Sequence, residues 1–384
     1  KKHKVVPKGV VNFKGAGFKT EHLDLSDLNG DVLLAGFDLN INQLKAKLLA
    51  HPVDISGQIK TQSAQGLQLD VQLEGALAAE ELMAQQQIDL PIIGISDWRI
   101  NITNPEKQLH MQMQSDLSGT AIDLPAPLNK SASSVKTFEM NCDIPCKQST
   151  ISLNYADEIL SQFKSEGESL VVQQLQFNDP LSDSTLALPL GGHISDLDID
   201  NWLGLIKEWG QDNGAVSKDW PLPSKSFSLE VDNLLFLARR FEHVKIQVLR
   251  LDDGYQIDVD SELMKGRLVV ADDLAAKGVV ADFEYLHWKD AILDDITHTA
   301  QSAEKLPDLH IFSKEFSYLG MPLGELRLEM RNVIDGLRVE QMSLVSDTSN
   351  IQITGDWVAP DDGQSGLGVS DFSIVMTSEK IATF

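Results

Sequence analysis

The chain holds no run of about 18 apolar residues, so no part of it reads as a membrane-spanning helix. It is poor in sulfur as well: Cys142 and Cys146, flanking Asp143-Ile144-Pro145, are its two cysteines. That spacing leaves open a small local disulfide, which an oxidising compartment would keep, or two free thiols in a loop. It argues against zinc, because two ligands with no second pair nearby cannot complete a tetrahedron. Basic side chains are scarce, 32 against 57 acidic ones, and the net charge of −25 opposes binding to nucleic acid and to anionic headgroups. A lipid partner would have to be held by its tails.

Catalytic signatures are missing too. No Gly-x-Ser-x-Gly nucleophile turn, His-Glu-x-x-His zinc helix, phosphate-binding loop or Gly-x-Gly-x-x-Gly fingerprint occurs. The nine histidines are scattered, with no pair at metal-ligand spacing on one element. Asp196, Asp198 and Asp200 suggest a calcium loop, but Lys207 stands where an EF-hand places its bidentate Glu. Alternation puts these carboxylates on the wet face of a strand, opposite Leu197 and Ile199. The chain reads as a non-enzyme with no cofactor and no metal. No signal peptide precedes the abrupt start at Lys1-Lys2-His3-Lys4, which gives the expectation of an internal fragment of a longer protein.

What the chain does have is alternation. Hydrophobic residues make up 42% of its 384 positions, enough to bury a core. The clearest stretch runs from Asp308 to Trp357. There Leu326, Leu328 and Met330 alternate with Glu325, Arg327, Glu329 and Arg331, and Asp335-Gly336 supplies a turn. Leu337 and Val339 resume the pattern, Met342 and Leu344 carry it one residue out of phase, and that slip predicts a β-bulge near Glu340-Gln341. Ile351, Ile353 and Trp357 close the meander.

The same period predicts strands over Val5–Phe13 (followed by a turn at Gly15-Ala16-Gly17), Val32–Ile41, Val53–Ile59 and Leu67–Leu73. Ile95–Ile102 and Leu109–Met113 read as a hairpin turning at Asn104-Pro105. Further strands follow at Phe138–Cys142, Thr150–Tyr155, Leu170–Phe177, Phe227–Val231, Val244–Val248 and Tyr255–Val259. Ala76–Gln87 should be a helix on propensity. Asp123–Leu128, with Pro125 and Pro127, must be extended, and residues 129–135 are the expected flexible point. A weak repeat places Gly, Asp and Trp alike in Gly192–Trp202 and Gly278–Trp288, with a looser copy from Asp38 to Leu44. Each copy is expected to run from a strand into a helix: Leu205, Ile206 and Trp209 behind an Asp200 or Asn201 cap, then Ala291, Ile292 and Ile296, then Leu44, Leu48 and Leu49 stopped by Pro52.

Roughly 18 to 20 strands against three or four helices make the chain mainly β. A continuous sheet of that many strands would extend about 90 to 100 Å, far beyond what a few short helices can cover. Two solutions remain: stacked β-sandwiches, or one long antiparallel meander sheet bent so that its oily faces line an apolar groove. Period-two alternation does not say which, because it is silent about what lies opposite. An unfilled groove exceeds the exposed apolar area that soluble monomers tolerate, so it calls for an apolar ligand.

At Ser115-Asp-Leu-Ser-Gly119-Thr-Ala-Ile-Asp123-Leu-Pro-Ala-Pro-Leu128-Asn-Lys130 the sequence resembles the AsmA-like family, in its YhdP branch. Gly192–Trp202, Gly278–Trp288 and Pro307–Trp357, with Tyr318-Leu-Gly-Met-Pro-Leu-Gly324 and Thr354-Gly-Asp-Trp357, carry the same likeness, which spans about residue 95 to 360. The resemblance implies a bacterial periplasmic protein, tethered to the inner membrane by an N-terminal helix outside this sequence. It implies a long β-groove moving phospholipid toward the outer membrane, and it brings no catalytic residues. It favours the groove, with residues 1–384 as one continuous elongated segment. The lining is then expected from Leu69, Val71, Leu109, Met111, Met113, Leu229, Val231, Ile257, Val259, Leu326, Leu328, Met330, Ile351 and Ile353. The alternative is a non-transporting envelope scaffold of sandwiches that binds other proteins at strand edges.

Overall fold

A side-chain period of two sends every second residue to one face of a strand, and that face has to be taken out of water by pairing and packing. The computed structural model does this with 23 strands among the described residues. It describes residues 7–379 apart from 20–23, 64–65, 86–89, 105–107, 167–168, 180, 182–189, 203–204, 206–225, 237–238, 273–276, 290–306, 334–335 and 359–368. The chain forms two compact units, Lys1–Leu124 with Leu128–Thr185, and Pro125–Pro127 with Leu186–Phe384. Among the described residues no helix is long and apolar enough to cross a membrane.

The first unit contains β1 (Lys8–Lys19), β2 (Asp24–Ala35), β3 (Asp38–Leu48), β4 (His51–Ser63), β5 (Gly66–Ala78), α1 (Ala79–Gln85), β6 (Ile92–Thr103), β7 (His110–Ser115), β8 (Thr120–Ile122), β9 (Phe138–Asp143), β10 (Thr150–Tyr155), β11 (Ile159–Glu166) and β12 (Ser169–Phe177). Strands β1 to β7 pair antiparallel in order, β7 pairs with β9, and β9 to β12 continue in order. β8 lies outside that order and pairs with the opposite end of β6, Ile92 against Ile122 and Gly94 against Thr120. A disulfide joins Cys142 in β9 to Cys146 in the short 3-10 turn that follows, with the Cα atoms 5.3 Å apart.

The second unit contains β13 (Leu190–Asp198), β14 (Phe227–Phe236), β15 (Arg239–Leu251), β16 (Gly254–Asp260), β17 (Met264–Ala271), β18 (Val279–Trp288), β19 (Leu309–Tyr318), β20 (Met321–Val333), β21 (Gly336–Val345), β22 (Ser349–Val358) and β23 (Val369–Ser378). All neighbours pair in order. The expected antiparallel pattern breaks twice, because β13–β14 and β18–β19 are parallel. Parallel neighbours need a crossover of a dozen or more residues, and the long segments after Asp198 and after Trp288 supply one each. These are the two strands that carry the Gly…Asp…Trp repeat, so the repeat marks a strand, a crossover and a parallel partner.

Other expectations are corrected. The looser third repeat copy is not a strand running into a helix: Leu44 and Leu48 belong to β3, and Pro52 lies in β4 opposite Lys47. Leu49 and Ala50, at φ of 50° and 64°, form a two-residue hairpin turn that leaves no room for a helix. Val32–Ile41 is two strands, β2 ending at Ala35 and β3 starting at Asp38. Gly15-Ala16-Gly17 is not a turn; it lies within β1, where the register slips between Phe13 and Phe18. The Ala76–Gln87 helix shrinks to α1, since Ala76 to Ala78 still pair with β6. Asp123–Leu128 avoids helix as its prolines require, but it turns at Ala126-Pro127 instead of running extended.

The bulge near Glu340-Gln341 is present, the register slipping there against both β20 and β22. Residues 199–202 are helical, but the cap is Asp198, whose Oδ1 accepts from Asn201 N at 3.0 Å, and not Asp200 or Asn201. Trp202 Nε1 donates to Ala126 O at 2.8 Å. Most of the helix expected after Trp202, the whole one expected after Trp288, and Pro105, Ile334 and Asp335 of the expected turns lie outside the described residues.

Candidate functional site

Residues paired across neighbouring strands face the same side of a sheet. Registers therefore convert the strand-by-strand alternation into rows running across the strands. In the first unit Leu44, Ile55, Leu73, Ile100, Met113, Met140, Leu153, Ser161 and Leu175 stand side by side on nine strands. At about 4.8 Å per strand such a row is about 40 Å long. Beside it runs Ile41, Gly57, Val71, Ile102, Met111 and Cys142. On its other side runs Ala46, Val53, Gly75, Trp98, Ser115, Phe138, Tyr155, Ile159 and Phe177.

The second unit repeats the arrangement. Phe227, Val248, Ile257, Leu268, Ala281, Ile311, Leu328, Met342, Ile353 and Ile374 form one row over ten strands. The adjacent row holds Leu229, Ile246, Val259, Gly266, Phe283, Ser313, Leu326, Leu344, Ile351 and Met376.

These rows place the residues expected from sequence. Val71 and Met111 share a row, Met113 stands in the next, and Leu69 faces Ile59 in a third. Leu109 lies just ahead of β7 and is 39% exposed. In the second unit Ile257, Leu328 and Ile353 share one row, and Leu229, Val259, Leu326 and Ile351 share its neighbour. Val231 pairs with Ile194 and Val244, and Met330 with Leu309 and Val339. Burial sorts the set further. Leu229, Val231, Val259 and Leu326 are packed interior, Val231 at 1% exposure and Leu326 at 3%. Leu69, Val71, Met111, Met113, Ile257, Leu328, Met330, Ile351 and Ile353 are half-buried. The same rows also contain Ile102, Met140, Leu268, Ile311 and Met342. Register, which sequence does not show, is what brings them there.

The row through Trp98 and Tyr155 buries polar atoms of its own. Trp98 Nε1 and the Tyr155 hydroxyl are buried without a hydrogen-bond partner, and burial pushes the Tyr155 phenol up to about 12. Lys136 Nζ sits 5.1 Å over the Tyr155 ring and 2.7 Å from Glu158. The Trp98 and Phe138 rings meet edge to face, centroids 5.6 Å apart.

The opposite face is acidic and wet. Asp54, Glu74, Arg99, Gln114, Glu139 and Asn154 form a polar row that lines a cleft of about 840 Å³, with Glu74 and Arg99 paired at 2.7 Å. A second cleft of about 380 Å³ is lined by Gln58, Lys60, Gln68, Leu69, Asp70, Thr103 and Asn104. Both clefts are lined chiefly by polar side chains, so neither is the apolar surface, which is made of rows that are part packed interior and part half-buried. Among the described residues no group of His, Cys, Asp and Glu is arranged to hold a metal.

No curated protein and no solved structure matches the chain. A family model does, the one described as YhdP protein, and it matches residues 1–382. With nearly every residue inside that match, the chain belongs to the YhdP protein family.

Proposed function

We propose that the half-buried apolar rows hold the acyl chains of phospholipid, and that the chain is the periplasmic part of a protein carrying lipid between the inner and outer membranes. The observation that carries this reading is the row Ile257, Leu268, Ala281, Ile311, Leu328, Met342 and Ile353. It is apolar at every position, and although Ala281 is buried the six larger side chains are only half-buried. A closed sandwich would seal such a row. Each acyl CH₂ withdrawn from water onto it gains about 0.8 kcal/mol. A lining of uniform Leu, Ile and Met has no fixed polar partner to arrest sliding. The Cys142–Cys146 disulfide fits an oxidising compartment, and membership of the YhdP family fits the cell envelope. Tethering to the inner membrane through an N-terminal helix outside this sequence belongs to the same reading.

The test is native mass spectrometry with lipid extraction of the purified protein, wild type beside Met111→Asp and Leu328→Asp. Bound phospholipid in the wild type, lost in both variants while β content by circular dichroism holds, supports the reading. Lipid-free wild-type protein, or variants that simply unfold, would sink it, because the rows would then be closed core.

One observation favours the scaffold reading instead. β23 pairs with β22 alone among the described residues and exposes apolar side chains on both faces: Phe372, Ile374 and Met376 on one, Val369 and Val375 on the other. An edge of that kind invites another strand. Cross-linking from β23 to an envelope protein, with no lipid recovered, would favour it.

A further inference from the structure

Residues 116–136 leave the order of the sheet and return to where they began. Lys136 N donates to Asp116 O at 3.1 Å, so the two ends of the segment meet and it closes on itself as a loop. Its inner side supplies Leu117 to the buried cluster that includes Leu77, Trp98 and Ile100, and Ile122 and Leu128 pack against that cluster. One end of the first unit's apolar face is therefore covered by this loop.

The loop is held by polar ties. β8 pairs with β6, Thr120 Oγ1 donates to Ser96 Oγ at 3.1 Å, and Asp123 N donates to Pro91 O at 2.9 Å. At its centre is Lys130, 5% exposed and the one charged side chain that counts as buried among the described residues. Its Nζ donates to Leu117 O at 2.7 Å, Thr120 O at 2.8 Å and Ser131 O at 3.0 Å. All three partners are carbonyls, and burial pushes the ammonium below its usual range. Water rehydrates the ammonium and the three carbonyls once the loop lifts, so the closure is reversible, whereas without the ammonium the carbonyls would be buried with no donor and the closed loop would lose its tie.

We infer that residues 116–136 are a strap latched by Lys130, and that lifting the strap admits an acyl chain to the first unit's apolar rows. The inference rests on the lipid reading above and adds a gate to it.

The test uses the proximity of the Ser96 and Thr120 hydroxyls. A Ser96→Cys, Thr120→Cys double variant, oxidised, fastens the strap to β6. Capture is followed with fluorescent phosphatidylethanolamine offered in vesicles of phosphatidylethanolamine and phosphatidylglycerol. Wild type treated with the same oxidant and reductant controls for the native disulfide. The expected result is loss of capture in the oxidised variant and recovery on reduction. Wild-type capture by the fastened protein overturns the strap and leaves the lipid reading standing; no capture by wild type overturns both. Lys130→Met supplies a second readout that needs no cross-link: amide exchange rises within 116–136 and capture quickens. A rise that spreads through β6 and β7 instead, or an unchanged capture rate, makes Lys130 a plain structural residue and overturns the latch.

Discussion

On the wet face of the first unit, Glu139 accepts from Asn141 Nδ2 at 2.8 Å, Gln112 Nε2 at 2.9 Å and Gln114 Nε2 at 3.0 Å. These bonds, that from Asn141 foremost, hold its carboxyl below the usual 4.5. A depressed carboxylate contributes stability that is complete above the unfolded value and drains away as pH falls through the folded one. Glu139→Gln should therefore flatten part of the stability loss below pH 4.5, seen as converging denaturant midpoints of variant and wild type on acidification. Glu139→Ala should cost about 1 kcal/mol at neutral pH, the net worth of a typical hydrogen bond. Parallel midpoint curves from pH 6 downward would show the amide cluster to be inert. At this scale alternation made Val71, Met111 and Leu328 legible. It could not flag Lys130, because nothing local marks a lysine as buried when its acceptors are the carbonyls of Leu117, Thr120 and Ser131. Nor could it show that Leu326 is sealed and Leu328 half open, since that depends on what lies over each strand.

Elements were legible where one face is uniformly apolar and obscure where it is not. β11 is obscure in sequence because Ser161 occupies the apolar face, between Leu153 and Leu175, while Leu160 faces the wet side between Asn154 and Gln176. The second half of β3 and its turn read as a helix because Leu44 and Leu48 fit a helical period as well as a strand that shifts phase. The parallel pairs could not be read at all, since pairing direction depends on where the crossover returns and not on composition. Close approach between elements is the other property invisible in sequence, and β8 against β6 is the instance that matters. Gly94 has φ of 122°, and a Cβ there would meet Gly119 O and Thr120 Cα. Gly94→Ala should lift β8 from β6 and cost about 1–3 kcal/mol, a left-handed backbone position and a steric clash together. Hydrogen exchange should then rise over 116–136 before it rises in β7, and protection unchanged in that segment would mean that the seam does not hold the strap.

Charge belongs to the whole chain. A net charge of −25 sits with an apolar face that reads as a tail-binding surface, so the field of the protein and its proposed cargo act against each other at an anionic membrane. The two act over different ranges: tail burial is local, whereas repulsion extends over a Debye length, about 30 Å at 0.01 M salt and about 10 Å at 0.1 M. Lipid capture from vesicles containing phosphatidylglycerol should therefore quicken as salt rises over that interval, by about tenfold if the field controls encounter, while capture from phosphatidylcholine vesicles stays flat. A chain that approached headgroups through a basic patch would do the opposite, slowing with salt on anionic vesicles. Lys130 and Lys136, the two lysines of the strap, are the local candidates for such a patch, but Lys130 is buried and Lys136 is paired with Glu158. The acceleration is expected to hold in Lys136→Ala as well. A wild-type rate that slowed with salt, and quickened with it only in that variant, would mean that steering by Lys136, and not the net charge, had governed the approach.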